Sequence, residues 1–413
     1  MGEPMLTPMG DRYTRPDWVR RLNAMGDSTG GARRMVPMGA DELLQQATES
    51  MGIDDFGDLG DGDWETRFRQ LVDAVNASGF HTVGRMMTRE ELLRCLRTRL
   101  AMAEQRRRHP DIADELISEP VVITGPARSG TSILFELLAL DPALAAPRAA
   151  DALHPVPFDG VTDEELLAMT ECEQELWADV QPEFAAIHEL RSDLPVECVT
   201  LTAPSFAGPH WVMVMQEGEA WFPDPGPDYA FHRSVLQSLQ FGRPEQTWVL
   251  KTPGHLITLD ALFEAYPDAR VVLTHRDPAK TMPSTVSTVA MMQWMRTDDV
   301  MIAALSEAVG AAFTTSLSDV TERRRDEGFD RRFGDIRFTD LMGDPVAAIS
   351  ATYDQIGRSL DPSHADAIGN YLRDKPKGKF GVHRYTTEEW GFDAAELHAT
   401  MAGYMDAFGV PAE

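Results

Sequence analysis

The chain has 413 residues, 43% of them hydrophobic and 25% charged, which is the composition of an ordinary globular protein and long enough for two or three structural units. Its 66 acidic and 38 basic side chains leave a net charge of −28, which excludes a general nucleic-acid or anionic-membrane surface. Cys95, Cys172 and Cys198 form neither a CxxC pair nor a disulfide framework, and no apolar run is long enough to span a bilayer, so a reduced, cytoplasmic protein without a signal peptide is expected.

Residues 1–30 are rich in Gly, Pro and Met and read as an arm. From 39 to 116 apolar residues recur at helical spacing, and Thr88 with Glu91 has the form of a capping box opening a helix. At Pro120 the pattern changes. Val121-Val-Ile-Thr is a short strand, followed by a helix over 131–140. Further strands are predicted at Thr247–Leu250, Arg270–His275 and Asp335–Thr339, with helices over 160–190, 228–241 and 345–356. Alternating strands and helices predict an α/β domain with a central parallel sheet flanked by helices, over 118–413, behind a helical N-terminal region, 1–117.

The first strand leads into Gly125-Pro-Ala-Arg-Ser-Gly130-Thr131-Ser132, between a strand and a helix, where backbone N–H groups and the helix dipole converge on an anion. Arg128 adds a fixed cation, Gly130 a tight backbone path, and Ser129, Thr131 and Ser132 hydroxyl donors. The frame is nearly that of the nucleoside-triphosphate loop G-x-x-x-x-G-K-[ST], but Thr131 stands where that loop requires Lys. Glu136, one turn on, reads as a solvated or helix-pairing residue.

Ala127-Arg-Ser-Gly-Thr-Ser132 resembles the 5′-phosphosulfate loop of sulfotransferases that use 3′-phosphoadenosine-5′-phosphosulfate (PAPS), with Ala127 in place of the usual Pro. Arg276 and Ser284, eight positions apart after the strand Arg270–His275, are similar to the family's 3′-phosphate signature. Pro283, inside that helix, is unusual there. Lys377-Gly378-Lys-Phe-Gly381 resembles the segment that closes over the 3′-phosphate, although Pro376 replaces its usual Arg. Phe338-Thr-Asp-Leu341 resembles a family segment that would put Phe338 near the adenine, and core packing explains that ring as well. The resemblance spans about residues 118–391 and implies a P-loop-like fold, PAPS as co-substrate, and sulfuryl transfer onto a small-molecule hydroxyl.

Sulfuryl transfer needs an in-line acceptor, cations at the equatorial and leaving oxygens, and removal of a proton. No metal is implied. Lys251, in Trp248-Val-Leu-Lys-Thr-Pro-Gly-His255-Leu, is the cation that the resemblance places beside the sulfuryl group. His255 is read as the general base, with Glu197 in Leu194-Pro-Val-Glu-Cys198 as the alternative; His188 and Asp151 are weaker candidates. Met282, Met291, Met292, Met295 and Met301, with Trp294, read either as an adaptable wall for a lipophilic acceptor or as helix core. Two other functions stay open on the residues alone: a non-catalytic nucleotide-binding scaffold, and a phosphotransferase using a nucleoside triphosphate.

Overall fold

Strands buried on both faces are stable only where helices cover both sides of a parallel sheet. The computed structural model, which describes residues 6–216, 228–244, 246–375 and 385–413, has that architecture. Its strands β1 (Val121–Thr124), β2 (Leu144–Ala145), β3 (Thr247–Lys251), β4 (Arg270–His275) and β5 (Phe333–Arg337) are all parallel and lie in the order β2-β3-β1-β4-β5. All four residues of β1 are buried, as are all of β4 after Arg270. β1 sits between β3 and β4, so the loops leaving all three strands open side by side at one sheet edge, where open α/β sheets bind ligands.

Two strands depart from expectation. β5 ends at Arg337, and Phe338 begins a helix (Phe338–Gly343). β2 is two residues long, too short to leave a periodic signal.

The helices are α1 (Asp17–Ser28), α2 (Ala40–Met51), α3 (Trp64–Ala77), α4 (Thr82–Arg108), α5 (Thr131–Leu138), α6 (Asp163–Val180), α7 (Cys198–Thr202), α8 (Tyr229–Gln240), α9 (Pro278–Trp294) and α10 (Ile302–Arg323), with shorter turns between them and further helices after β5. Part of the expected arm is therefore helical: α1 buries Val19 completely and presses Gly26 against Thr82. The expected helix start at Thr88 is also corrected. α4 begins six residues earlier, at Thr82, where His81 Nδ1 accepts from the Gly84 N–H at 3.0 Å. Thr88 and Glu91 lie buried in mid-helix, Thr88 bonding the Gly84 carbonyl and Glu91 pairing with Arg296 at 2.7 Å.

Helix α9 tolerates Pro283 because the carbonyl that Pro283 cannot serve, that of Ala279, accepts from Thr387 Oγ1 at 3.1 Å instead. The N-terminal helices do not form a core of their own. Val19, Leu43, Phe68 and Leu92 belong to one apolar cluster with Val286, Ala290, Met291 and Met295 of the α9 region. Gly84 is the closest junction, since a Cβ there would lie 2.3 Å from the Arg296 carbonyl oxygen.

Candidate functional site

The loop from β1 to α5 needs glycine at its first turn. Gly125 has φ +134°, and a Cβ on it would fall 2.3 Å from Thr274 Oγ1. Arg128 adopts a left-handed φ of +68° without being glycine, and Gly130, at +91°, caps α5. Backbone strain of this kind persists where the surroundings enforce it. Here Arg128 Nη1 donates to the Ile187 carbonyl at 2.8 Å, while its own carbonyl accepts from Arg276 Nη1 at 2.8 Å. Burial, together with the nearby Arg276, pushes the Arg128 guanidinium below its ordinary value. Two crowded cations beside a helix N-terminus form a place where an anion relieves repulsion.

The loop's hydroxyls divide. Thr131 and Ser132 line a cavity of about 1240 Å³. Ser129, read as a donor to ligand, is turned the other way: its Oγ meets both the Pro126 carbonyl and Thr274 Oγ1 at 2.5 Å, tying the loop to β4.

Arg276 lies at the end of β4 with its guanidinium 3.8 Å over the Phe338 ring, and both residues line the cavity. Its Nε and Nη2 donate to the Glu413 carboxylate at 2.9 Å. Asp277 does not pair with it. That buried carboxylate caps α9 through the Ala279 N–H and accepts from His398 and the Glu413 N–H. Ser284 is fully buried in α9, its hydroxyl without a hydrogen-bond partner among the described residues, and Thr285 and Thr288 line the cavity there instead. Lys377 and Gly378 lie outside the described residues.

At the end of β3, Lys251 is 1% exposed and its Nζ donates to Glu197 Oε1 and, at 3.3 Å, to Ser132 Oγ. The three side chains thus join the strand end, the loop and the start of α7. Burial raises the Glu197 carboxyl, but Lys251, His188 and hydrogen bonds from Lys251 and Thr252 outweigh it and hold the group below the ordinary carboxylate range. His188, on the cavity wall, is pushed down to about 4 by burial and by Lys251, so it is neutral at pH 7.

His255 is not in this group. Its ring is 0% exposed, and Nδ1 meets Tyr229 Oη at 2.8 Å; the ring packs against Tyr229 and His232. Burial, with His232 adding to it, holds it well below its ordinary value. Its neighbours Thr252, Pro253, Gly254 and Ile257 line the cavity, and the imidazole points away from them. Of the two residues considered as general base, Glu197 lines the cavity and His255 does not. Asp151 is likewise structural, forming a capping box with Arg148.

Beyond this polar end the cavity is mostly apolar, with Trp177, Phe184, Val199, Met213, Val289 and Leu305 among its walls. Of the methionines singled out in the sequence, Met292 and Met301 reach the cavity, whereas Met282, Met291 and Met295 are core. Sequence reasoning missed two features. Glu136 accepts from Tyr371 at 2.6 Å and from Lys375 at the cavity wall, a contact set by residues about 235 positions away and so invisible locally. Glu90, Glu91 and Arg94 of the N-terminal helix α4 line the same cavity, together with Glu173 of α6 and His210 of the short helix Pro209–Val214. Among the described residues no helix is long and apolar enough to cross a membrane.

Residues 120–362 match the sulfotransferase family. The chain is 24% identical over 295 residues to omega-hydroxy-beta-dihydromenaquinone-9 sulfotransferase Stf3 of Mycobacterium bovis and to its namesake in Mycobacterium tuberculosis, covering 67% of this chain and 73% of each relative. Its fold is similar to the crystal structure of sulfotransferase STF9 from Mycobacterium avium, with a TM-score of 0.78 at 23% identity over 90% of this chain and 97% of that one. It is also similar to sulfotransferase STF1 from Mycobacterium tuberculosis, with a TM-score of 0.70 at 26% identity over 89% and 99% of the two chains.

Proposed function

The chain belongs to the sulfotransferase family, and from that premise we propose that it takes the sulfuryl group from PAPS and delivers it to the hydroxyl of a lipophilic alcohol. One observation carries this reading: Arg128, Arg276 and the N-terminus of α5 converge at one end of a large cavity whose remaining walls are mostly apolar. The name of the Stf3 relatives, a hydroxylated menaquinone derivative as acceptor, supports the lipophilic half.

In this reading the loop's backbone donors, Thr131 and Ser132 hold the 5′-phosphosulfate, and Arg276 holds the 3′-phosphate with Phe338 beneath the base. Ser284, Lys377 and Gly378 are assigned to the 3′-phosphate by resemblance alone. Lys251 stabilises charge on the leaving oxygen. Glu197 receives the acceptor's proton. Its weakness as a base in the resting pair comes from Lys251 itself, so a Lys251 drawn toward the donor's charge leaves Glu197 more basic at the moment it is needed. Neutral His188 helps to orient the hydroxyl. Residues 118–413 carry these groups, and helix α4 of the N-terminal region adds Glu90, Glu91 and Arg94 to the cavity's far wall. A cytoplasmic location fits the cysteines, which form no disulfide among the described residues.

The test is calorimetric titration with 3′-phosphoadenosine-5′-phosphate, the spent donor, beside ATP-Mg²⁺. Micromolar or tighter binding of the first without the second is expected. Preference for ATP-Mg²⁺, or binding of neither, overturns the donor assignment.

A further inference from the structure

Arg276 is held on three sides. The Phe338 ring lies 3.8 Å from its guanidinium, its Nη1 donates to the Arg128 carbonyl at 2.8 Å, and its Nε and Nη2 donate to separate oxygens of Glu413 at 2.9 Å. A guanidinium has five N–H groups, one on Nε and two on each terminal nitrogen. Three of them are used in these bonds. The two that remain sit one on Nη1 and one on Nη2, adjacent nitrogens that can present a fork to a phosphate.

Glu413 is placed by its backbone. The helix Ala402–Phe408 ends at Gly409, whose left-handed φ of +60° turns the chain, and Val410 then packs into the apolar cluster that holds Leu397, Met401 and Tyr404. The Glu413 N–H donates to the buried Asp277 carboxylate at 2.7 Å, next to Arg276 in the chain. Arg276 and Phe338 line the cavity, whereas Glu413 is not among the described residues that line it. The carboxylate therefore stands behind the guanidinium, where it fixes the direction of the two remaining N–H groups without occupying their place.

We propose that Glu413 is a positioning residue for the 3′-phosphate of the donor, holding the Arg276 side chain so that Nη1 and Nη2 meet that phosphate together. The inference rests on the assignment of Arg276 to the 3′-phosphate in the proposed function, and adds to it a residue 137 positions away that no motif marks. Two effects of the carboxylate oppose each other. Its charge repels a phosphate, and its bonds remove from the binding step the cost of ordering a long side chain. Gln at position 413 lacks the charge and sets an NH2 group against one of the Arg276 N–H groups, so the fork is released while the shape is kept.

The experiment is a double-mutant cycle on the binding of 3′-phosphoadenosine-5′-phosphate, read by calorimetry on wild type, Glu413→Gln, Arg276→Ala and the double variant. The charge of Glu413 is lost in both backgrounds and cancels to first order, which leaves the part that acts through Arg276. Glu413→Gln is expected to be more damaging with Arg276 present than with Ala there, by about threefold to tenfold, the effect of ordering one long side chain. The same cycle with adenosine-5′-phosphate, which has no 3′-phosphate, is expected to show a coupling below about twofold. Should Arg276→Ala not fold, Arg276→Lys, which keeps the charge without the fork, takes its place in the cycle. A coupling below about twofold with the 3′-phosphorylated nucleotide overturns the inference and leaves Arg276 in the site. So does a coupling of opposite sign, the mark of a carboxylate that competes with the phosphate. Equal coupling for the two nucleotides overturns it too, because Glu413 would then support the fold and not the 3′-phosphate. Full affinity in the Arg276 variant removes that residue from the 3′-phosphate and overturns both readings.

Discussion

Lys251→Met tests the centre of the proposed chemistry. The side chain is 1% exposed and bonds Glu197 and Ser132, so it is held in place and shielded from solvent. Met has nearly the same length and keeps the packing. Loss of one preorganised donor at developing charge costs about 2.7–4 kcal/mol, or roughly 10²–10³ in kcat. The substitution leaves Arg276, proposed to hold the 3′-phosphate, untouched, so affinity for 3′-phosphoadenosine-5′-phosphate should change far less. A second signature lies in pH. In the wild type the depressed Glu197 carboxyl contributes stability above its ordinary value of 4.5, lost as pH falls through its folded value. Without Lys251, burial, already the largest single influence, is no longer outweighed and raises the folded value above the unfolded one. The contribution then changes sign: it is present at acid pH and lost as pH rises through the new folded value. Initial rates, product-nucleotide titration and urea unfolding across pH 5–8 measure all three. A fall in kcat below about fivefold, or a variant whose stability relative to wild type improves as pH rises, refutes the assignment.

Other substitutions separate the remaining roles. Arg128→Ala and Arg276→Ala should each weaken product-nucleotide binding about 10- to 100-fold by calorimetry, as expected for a charge-assisted anchor; unchanged affinity would remove that residue from the site. His255→Gln should lower stability by about 1–2 kcal/mol in denaturant titration, through loss of the bond to Tyr229, with kcat within about twofold. A hundredfold fall in kcat in a folded variant would restore His255 as the base. Gly125→Ala should cost about 3 kcal/mol or more and abolish nucleotide binding, because its Cβ would sit 2.3 Å from Thr274 Oγ1 at a φ of +134°. Normal melting and binding would show that the loop can take another path.

Much of this arrangement is legible in local sequence, for identifiable reasons. β1 and β4 announce themselves because strands buried on both faces are continuous β-branched runs. Arg128, Thr131, Ser132, Lys251 and Arg276 fall together because each stands at the carboxyl end of a central strand or in the loop and first helical turn that follow it, and parallel strands bring those ends to one edge. Side-chain direction is not local. Ser129 turns inward because Thr274, on the adjacent strand, offers it a partner. His255 turns inward because Tyr229, 26 positions earlier, does the same, and no spacing rule reports on that. Glu91 has the right position relative to Thr88 for a capping box, yet the segment Thr82–Gly84 already has a start in His81, and Glu91 is claimed by Arg296. The far wall of the cavity was therefore hidden behind a plausible helix signal.

The junction at Gly84 bears on how the chain must be made. The first hundred residues leave the ribosome with an apolar surface whose complement, Val286 to Met295, is synthesised nearly two hundred residues later. At ordinary elongation rates that is an interval of roughly 10–40 s during which the early helices have only each other to cover them. Final docking, with Gly84 against the Arg296 backbone, closes a contact of very high sequence separation, which makes assembly slow and exposes the nascent chain to aggregation or chaperone capture. Recombinant yield should therefore respond more to growth temperature and chaperone supply than the stability of the finished enzyme would suggest, and fragments cut near residue 117 should be poorly soluble on both sides of the cut.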